Sequence, residues 1–235
     1  MIRKSLKLRK TDIYVILIVM AVVYIIGNIV MVLATESDEK VIEAGTALAM
    51  ASFIVYELMT SIGGSYKRWF NIEVSMGNTR KGFFVSQFII SVVRVALEYA
   101  LLVILHFVNI AIINKLYPGQ ELAFSFDIIL FSIYVPVVCL IFITFQMLAG
   151  SAWLKEKKIM LVFTWIIWMG ICILPGRISD AVKDDKNTAL ANVGHFFINI
   201  FQNTNKIVIV LAGLALSLIM YAAAYLMTRK QEVEN

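Results

Sequence analysis

Charged residues are scarce in this sequence. Of its 235 residues only 16% are charged and 60% are hydrophobic, whereas soluble domains have about 25% charged and about 45–50% apolar residues. The mean hydropathy of +0.84 likewise excludes an ordinary soluble domain and indicates an integral membrane protein. The net charge of +5 does not indicate nucleic-acid binding, because the cations gather at the ends of apolar runs, where membrane orientation places them.

Cysteine, histidine and proline are also few. The two cysteines, Cys139 and Cys172, lie inside apolar runs without CxxC spacing, so we expect neither a disulfide framework nor a metal site. The only histidines are His106 and His195, and no H-E-x-x-H motif of a zinc protease occurs. We interpret His106, near the outer end of a predicted span, as a packing or interface residue. Three prolines leave little room for a flexible hinge domain.

Motifs for bond-making chemistry are absent as well. No G-x-x-x-x-G-K-[ST] motif occurs, nor any Gly-Lys dipeptide, so the chain has no P-loop to bind nucleotide. No G-x-S-x-G motif of a serine nucleophile is present. We therefore expect no catalytic residue, metal or cofactor in this chain, which leaves transport, channel formation or scaffolding.

Long apolar runs predict an all-α membrane protein with six transmembrane helices in a single transmembrane domain. A bilayer core of about 30 Å needs about 20 helical residues, and six runs qualify: 13–34, 44–64, 83–113, 128–150, 159–175 and 207–227. Helix punctuation supports these runs, with candidate N-caps at Thr11, Asn78 or Thr79, and Asp127, and a stop at Pro175-Gly176. The first run is longer than the roughly 7–15 residues of a signal-peptide core, so we interpret it as an uncleaved span.

Lysine and arginine predict which ends of the spans face the cytoplasm. They concentrate before span one, between spans two and three, between spans four and five, and after span six. Because basic residues stay on the cytoplasmic side, we expect both termini and the link 65–82 to be cytoplasmic.

The link between spans five and six is long and has apolar residues at helical spacing. These residues are Leu190, Val193, Phe197, Ile200 and Phe201. We predict amphipathic helical structure at the outer leaflet. It is either a helix resting on lipid or a lid over an exit path, and in the second case Val193, Phe197 and Phe201 would form the outer gate.

The link 65–82 between spans two and three is longer than the roughly 2–8 residues that a helical hairpin needs. Its stretch "FNIEVSMGNTRKGFF" predicts a short helix with Phe70 and Val74 on its apolar side and Met76 as a further candidate. Gly77 would end that helix, and Asn78 or Thr79 would cap the next one. The excess length favours a docking surface. The alternative is a segment at the membrane interface whose basic residues serve only to keep it on the cytoplasmic side.

Three charged residues lie within the predicted spans. Arg94 and Glu98 belong to span three, and Glu57 lies at a similar depth in span two. A charge at the bilayer centre costs about 2.5–3.5 kcal/mol, so we predict that Arg94 pairs with Glu57, Glu98 or both. Gln87, Ser91, Arg94 and Glu98 share one helix face. This polar stripe is either a static salt bridge that fastens span two to span three, or a link between the docking segment and the transport path.

The stretch "SMGNTRKGFF" after "RWFNIEV" resembles the coupling-helix region in permease subunits of bacterial type-two ABC exporters. The six-span plan, the long fifth connection and the chain length are similar to those of the small peptide-handling members. The resemblance implies a permease that lies in the bacterial cytoplasmic membrane, dimerises with a second copy or a paralogue, and is driven by a separate cytoplasmic ATPase subunit that holds ATP and Mg.

The resemblance also implies that the segment 70–77 seats in a groove of the ATPase, with Arg80 and Lys81 at the re-entry into the membrane. The implied ATPase-coupling residues are Phe70, Asn71, Ile72, Glu73, Val74, Ser75, Met76, Gly77, Arg80 and Lys81. The family commonly has an amphipathic surface helix before span one. Only "MIRKSLKLRKT" is available here, so a short basic arm would replace that helix.

Three functions remain open from the sequence. We expect a membrane subunit of an ATP-driven exporter that moves an amphipathic peptide, a lipid-like molecule or a drug, with membrane lipid but no nucleic acid as a further partner. An ATP-independent secondary transporter or channel that uses Arg94, Glu57 and Glu98 is the first alternative. A non-transporting membrane scaffold or immunity protein is the second.

Overall fold

In the part of the chain that it describes, the computed structural model consists of helices joined by short links. It describes residues 2–34, 41–62, 65–122, 124–155 and 189–230, together with six isolated positions between 162 and 180. The helices in chain order are α1 (Ile2–Ala34), α2 (Ala44–Ile62), α3 (Ser65–Ser75), α4 (Arg80–Leu116), α5 (Asp127–Leu130), α6 (Val135–Lys155), α7 (Ala189–Asn203) and α8 (Lys206–Arg229).

Four of the described helices are long and apolar enough to cross a membrane. They cover Ser5–Leu33, Arg80–Leu116, Val135–Leu154 and Lys206–Arg229, and so correspond to the predicted spans one, three, four and six. The helix at the second predicted span contains a shorter apolar stretch, Ala44–Glu57. The predicted fifth span, 159–175, and the stop at Pro175-Gly176 lie outside the described residues apart from isolated positions. A membrane protein is thereby indicated, while six spans and their orientation remain predictions.

The first helix begins earlier than the sequence predicted. It runs without a break from residue 2 for 33 residues, or about 50 Å at 1.5 Å per residue. Thr11 lies inside this helix, so its prediction as an N-cap is wrong. The basic stretch was interpreted as a separate arm, but it continues the helical pattern and is the first part of α1.

The predicted fourth span is interrupted near its start. The structure has the short helix α5, a turn over residues 131–134, and then α6 from Val135. Asp127 is the first residue of α5 and its side chain caps no long helix. Pro136 lies in the first turn of α6, where a missing backbone N–H costs nothing, and an unbroken helix through this proline would lose a hydrogen bond. The predicted span 128–150 is therefore replaced by Val135–Lys155.

Helix ends meet at two opposite ends of the bundle. At one end, the backbone N–H of Val41 donates to the carbonyl of Glu121 at 3.1 Å, so the links α1–α2 and α4–α5 adjoin each other. At the other end, Tyr66 of α3 contacts Thr228 at the end of α8, and Glu73 of α3 contacts Arg9 near the start of α1. We call this second end the α3 end. The most extensive packing joins α6 to α8 and α1 to α2.

The interior and the surface are both apolar, as expected for a bilayer-embedded bundle. One core cluster extends through α1, α2, α4, α6 and α8, with Met20, Phe53, Phe84 and Met147 among its members. Outward-facing positions of α1 and α8 are also large and apolar, as at Ile18, which is 62% exposed. A soluble monomer seldom exposes so much contiguous apolar surface, whereas lipid accommodates it.

The predicted outer helix is present as α7, Ala189–Asn203. Val193 is 42% exposed, while Ala191 is buried. The side chains of Phe197 and Phe201 lie outside the described part of the structure. The outer gate therefore stays a prediction that α7 alone does not test.

Candidate functional site

A single buried carboxylate holds α3 against the bundle. Glu73 is 3% exposed and accepts hydrogen bonds from four side chains of three segments. The donors are Ser5 Oγ at 2.9 Å and Arg9 Nη2 at 2.5 Å from α1, Asn78 Nδ2 at 2.9 Å from the turn after α3, and Ser86 Oγ at 3.1 Å from α4. A buried charge needs this degree of pairing. We call Glu73 and these four donors the Glu73 hub.

Arg9 connects the hub to the polar face of α4. Its guanidinium also donates to Gln87 and lies over the Trp69 ring at 5.0 Å from the centroid. The same group is 5.7 Å from the centroid of Phe83. Planar guanidinium groups suit both a carboxylate and an aromatic face. Arg9 therefore fixes α1, α3 and α4 relative to one another.

The apolar side of α3 faces the bundle and not a partner. Phe70 is fully buried, and its ring meets Phe83 edge-on at 5.2 Å, as Tyr66 does at 5.1 Å. The Tyr66 hydroxyl lies 2.8 Å from the Thr228 hydroxyl, and burial raises the pKa of Tyr66 above its ordinary value. Phe70 and Glu73 were predicted to contact an ATPase groove. Both side chains are buried within the chain, and a coupling role for them stays a prediction.

The exposed part of the predicted coupling segment is the end of α3 and the turn that follows. Met76 is 64% exposed, and Ser75, Arg80 and Lys81 are exposed beside it. Gly77 has φ +86°, a left-handed conformation that favours glycine. We call residues 75–81 the α3–α4 turn.

Of the two residues predicted as the N-cap of α4, Thr79 is the one that caps it. Its Oγ1 accepts a hydrogen bond from the Gly82 N–H at 3.0 Å, which is the N-cap geometry. Asn78 instead donates to Glu73. The remaining coupling candidates, Asn71, Ile72 and Val74, are half-buried, and Val74 packs against the cluster that contains Phe70.

The predicted contacts of Arg94 with both carboxylates are present. Arg94 Nη2 donates to Glu57 Oε2 at 2.9 Å, and Arg94 Nε lies 3.5 Å from Glu98 Oε1. Sequence analysis missed Gln146 of α6, which accepts from Arg94 at 2.9 Å and donates to the Glu57 carbonyl at 2.8 Å. The Arg94 cluster thus joins α2, α4 and α6. The only local indication of the third helix was one glutamine in an apolar run.

A second buried polar centre lies toward the opposite end of the bundle. His106 is fully buried, with Nδ1 at 2.9 Å from Glu43 Oε2 and Nε2 at 2.9 Å from Asp127 Oδ1. A neutral imidazole carries one N–H group, and an ionised carboxylate carries none. Hydrogen bonds at both ring nitrogens therefore require one further proton shared among His106, Glu43 and Asp127. Hydrogen bonds from His106 and Ser125 lower the pKa of Asp127. His106 therefore ties α4 to Glu43, which directly precedes α2, and to the first residue of α5. Its interpretation as a packing or interface residue stays a prediction.

The polar face of α4 is longer than predicted. Gln87 donates to Ser91 at 3.3 Å, and beyond the Arg94 cluster the buried residues His106 and Asn109 continue the same helical side. The polar positions extend from the Glu73 hub almost to the opposite end of the bundle. Local spacing predicted the first part of this face, whereas its continuation through His106 and Asn109 was not predicted, because both residues lie in an apolar run.

No protein family model, curated protein or solved structure matches this chain. Groups of three or more metal-ligating side chains suited to a metal ion were not found among those residues.

Proposed function

We propose that this chain is the membrane-spanning subunit of an ATP-driven exporter and that the α3–α4 turn contacts a separate cytoplasmic ATPase. ATP and Mg would be held by that ATPase, and a second permease copy or a paralogue would complete the dimer. The proposed cargo is an amphipathic peptide, a lipid-like molecule or a drug. The proposed location is the bacterial cytoplasmic membrane.

The observation that carries this proposal is the Glu73 hub. A helix that only linked two spans would not need a buried carboxylate with donors from α1, α4 and its own turn. This arrangement makes α3 a rigid lever, because removing one partner of a buried ion pair typically costs about 3–5 kcal/mol. A force on the turn would reach α1 through Arg9 and α4 through Ser86.

The exposed side chains of the turn suit a protein partner at a membrane surface. Met76 offers a flexible apolar contact, and Arg80 and Lys81 offer charge beside it. The buried Phe70 holds the turn in place and does not itself contact the partner in this scheme. α7 would act at the opposite side of the membrane, as a gate or as a helix resting on lipid.

A copurification assay tests the proposal. The affinity-tagged full chain is purified in mild detergent from its native membranes, and the ATP hydrolysis that accompanies it is measured. We expect a stoichiometric ATPase with the unaltered chain and at least tenfold less ATPase with Met76→Asp, because a carboxylate at the centre of an interface is costly to desolvate.

The matched control is Leu116→Asp, which places the same charge at a position 51% exposed at the other end of α4. It should retain the ATPase. Equal amounts of ATPase with both variants, or none with the unaltered chain, would contradict the proposal.

A second candidate function is ion- or proton-coupled transport without an ATPase. It is favoured by the polar face of α4, which places Glu98 and His106 on one helix within an apolar bundle. Ionisable groups inside a membrane commonly mark ion or proton pathways. Flux driven by a pH gradient in liposomes that contain only this chain would favour this second function over the first.

A further inference from the structure

A polar cavity lies between the Glu73 hub and the Arg94 cluster. Its volume is about 280 Å³, and α1, α2, α3 and α4 all contribute to its walls. The residues that matter here are Arg9, Asp12, Tyr56, Arg68, Trp69 and Arg94. Neither the proposed ATPase contact nor the proposed gate uses this cavity.

The cavity lies at the depth expected for lipid headgroups. Asp12 is followed directly by the apolar run of α1, and Arg68 lies shortly after α2, which ends at Ile62. α4 has 37 residues, about 56 Å at 1.5 Å per residue, so a large part of it extends beyond a core of about 30 Å. The start of the apolar run of α1 and the end of α2 thus place a membrane boundary near this cavity.

The cavity walls are rich in guanidinium groups. Arg9, Arg68 and Arg94 line it, and Asp12 is the one acidic residue among its described lining residues. The carboxylates that pair with Arg9 and Arg94 are not among them. Arg9 and Arg94 are already paired with carboxylates, so an anion in the cavity would bind through the further N–H groups that each guanidinium carries.

One buried donor in these walls lacks a hydrogen-bond partner. The Nε group of Arg9 has none in the described structure, and the side chain of Arg9 is only 5% exposed, whereas Arg94 Nε lies 3.5 Å from Glu98 Oε1. An unpaired buried donor is costly. Trp69 lies against both Arg9 and Arg68, with ring-centroid distances of 5.0 and 5.5 Å, and so holds two of the cations at the same wall.

We propose that this cavity binds the phosphate headgroup of an anionic lipid from the adjoining leaflet. Guanidinium groups recognise phosphate well, and basic pockets between membrane helices bind anionic headgroups. Pockets that enclose a whole drug-sized ligand measure about 300–1,000 Å³, so a cavity of about 280 Å³ suits a headgroup whose acyl chains remain in the bilayer. Trp69, which follows the end of α2, suits the interface that such aromatic residues favour.

Native mass spectrometry of the full chain tests this proposal. The purified protein is exchanged into detergent with equal amounts of phosphatidylglycerol and phosphatidylcholine of the same acyl chains, and retained lipids are counted. We expect selective retention of one phosphatidylglycerol per chain. Arg68→Gln, at an exposed position of the cavity, should weaken that retention about fivefold, since a basic residue near anionic lipid contributes about this factor.

Arg80→Gln is the matched control, because it removes an exposed cation at the same end of the bundle that does not line the cavity. It should change retention by less than twofold. Equal retention of the two lipids, or equal losses from Arg68→Gln and Arg80→Gln, would overturn the proposal.

A competition experiment separates a lipid from a soluble phosphate ester. Glycerol phosphate at millimolar concentration should not displace the bound phosphatidylglycerol, because it lacks the acyl chains that add membrane contacts. Complete displacement would overturn the lipid as the source of the phosphate. The proposal does not depend on an ATPase partner, so its failure and that of the proposed function are distinguishable.

Discussion

Individual buried charges determine how the helices of this protein are held together. Each of the three polar centres has one α4 residue, namely Ser86, Arg94 or His106, in contact with other elements. In an apolar bundle within lipid, packing alone gives little orientation preference, whereas a buried ion pair demands one geometry. These residues therefore specify which helices are neighbours.

The Arg94 cluster predicts how substitutions of its charged residues change the free energy of unfolding. Arg94→Met leaves the buried Glu57 without its cation, so we expect the free energy of unfolding to fall by about 3–5 kcal/mol. Adding Glu57→Gln should restore at least half of this loss, because a neutral amide costs less to bury. Thermal unfolding of the purified variants in one detergent provides the measurement.

Lys115→Met serves as the control for Arg94→Met, since Lys115 is an exposed cation on the same helix and should change the unfolding free energy by less than about 0.5 kcal/mol. If Arg94→Met were as stable as the unaltered chain but lost transport, the cluster would link the docking segment to the transport path and would not be only a static contact between helices.

At the scale of elements, local chemistry predicted α3 but not its role in packing. Phe70, Val74 and Gly77 were sufficient to predict a short helix and its end, because apolar spacing and a left-handed glycine are local features. The donors to Glu73 from α1 lie 64 and 68 residues away in sequence, and no local pattern encodes such contacts. The sequence therefore predicted that a helix exists here, but assigned its buried side to a partner.

The break before α6 was likewise not predicted from the sequence. Its apolar residues continue across the turn 131–134, so hydropathy alone predicts one uninterrupted span. Pro136 was the available local indication, because proline favours the first turn of a helix. The continuous α1 was missed for a related reason, since basic residues were interpreted only as markers of orientation.

The α3–α4 turn yields a prediction that separates stability from coupling. Gly77 and Gly119 have nearly the same φ, +86° and +85°, and a Cβ at either would meet nothing within 4 Å. Alanine at either position should therefore cost a similar amount, about 1–2 kcal/mol of unfolding free energy. Only Gly77→Ala should reduce the ATPase activity of the purified complex, because only that turn lies between α3 and α4.

Chemical denaturation and ATP hydrolysis are measured on both glycine variants side by side. Equal losses of hydrolysis in Gly77→Ala and Gly119→Ala would indicate that the turn after α3 has no special part in coupling.

For the whole molecule, the three polar centres lie one after another along an apolar bundle. The Glu73 hub lies at the α3 end, the Arg94 cluster lies further along α4, and His106 lies toward the opposite end. α4 contributes to all three and spans the length of the bundle. A movement imposed on the α3–α4 turn would thus reach the opposite links through one continuous helix.

The most direct test of this account is photocrosslinking from position 76 in native membranes. A benzophenone amino acid replaces Met76 in the full chain, and the same amino acid replaces Leu116 in a parallel sample, since both positions are exposed at opposite ends of α4. We predict that irradiation joins position 76, and not position 116, to an ATP-binding protein identified by mass spectrometry. Adducts from position 76 to lipid alone, or to a protein on the outer side of the membrane, would contradict the account.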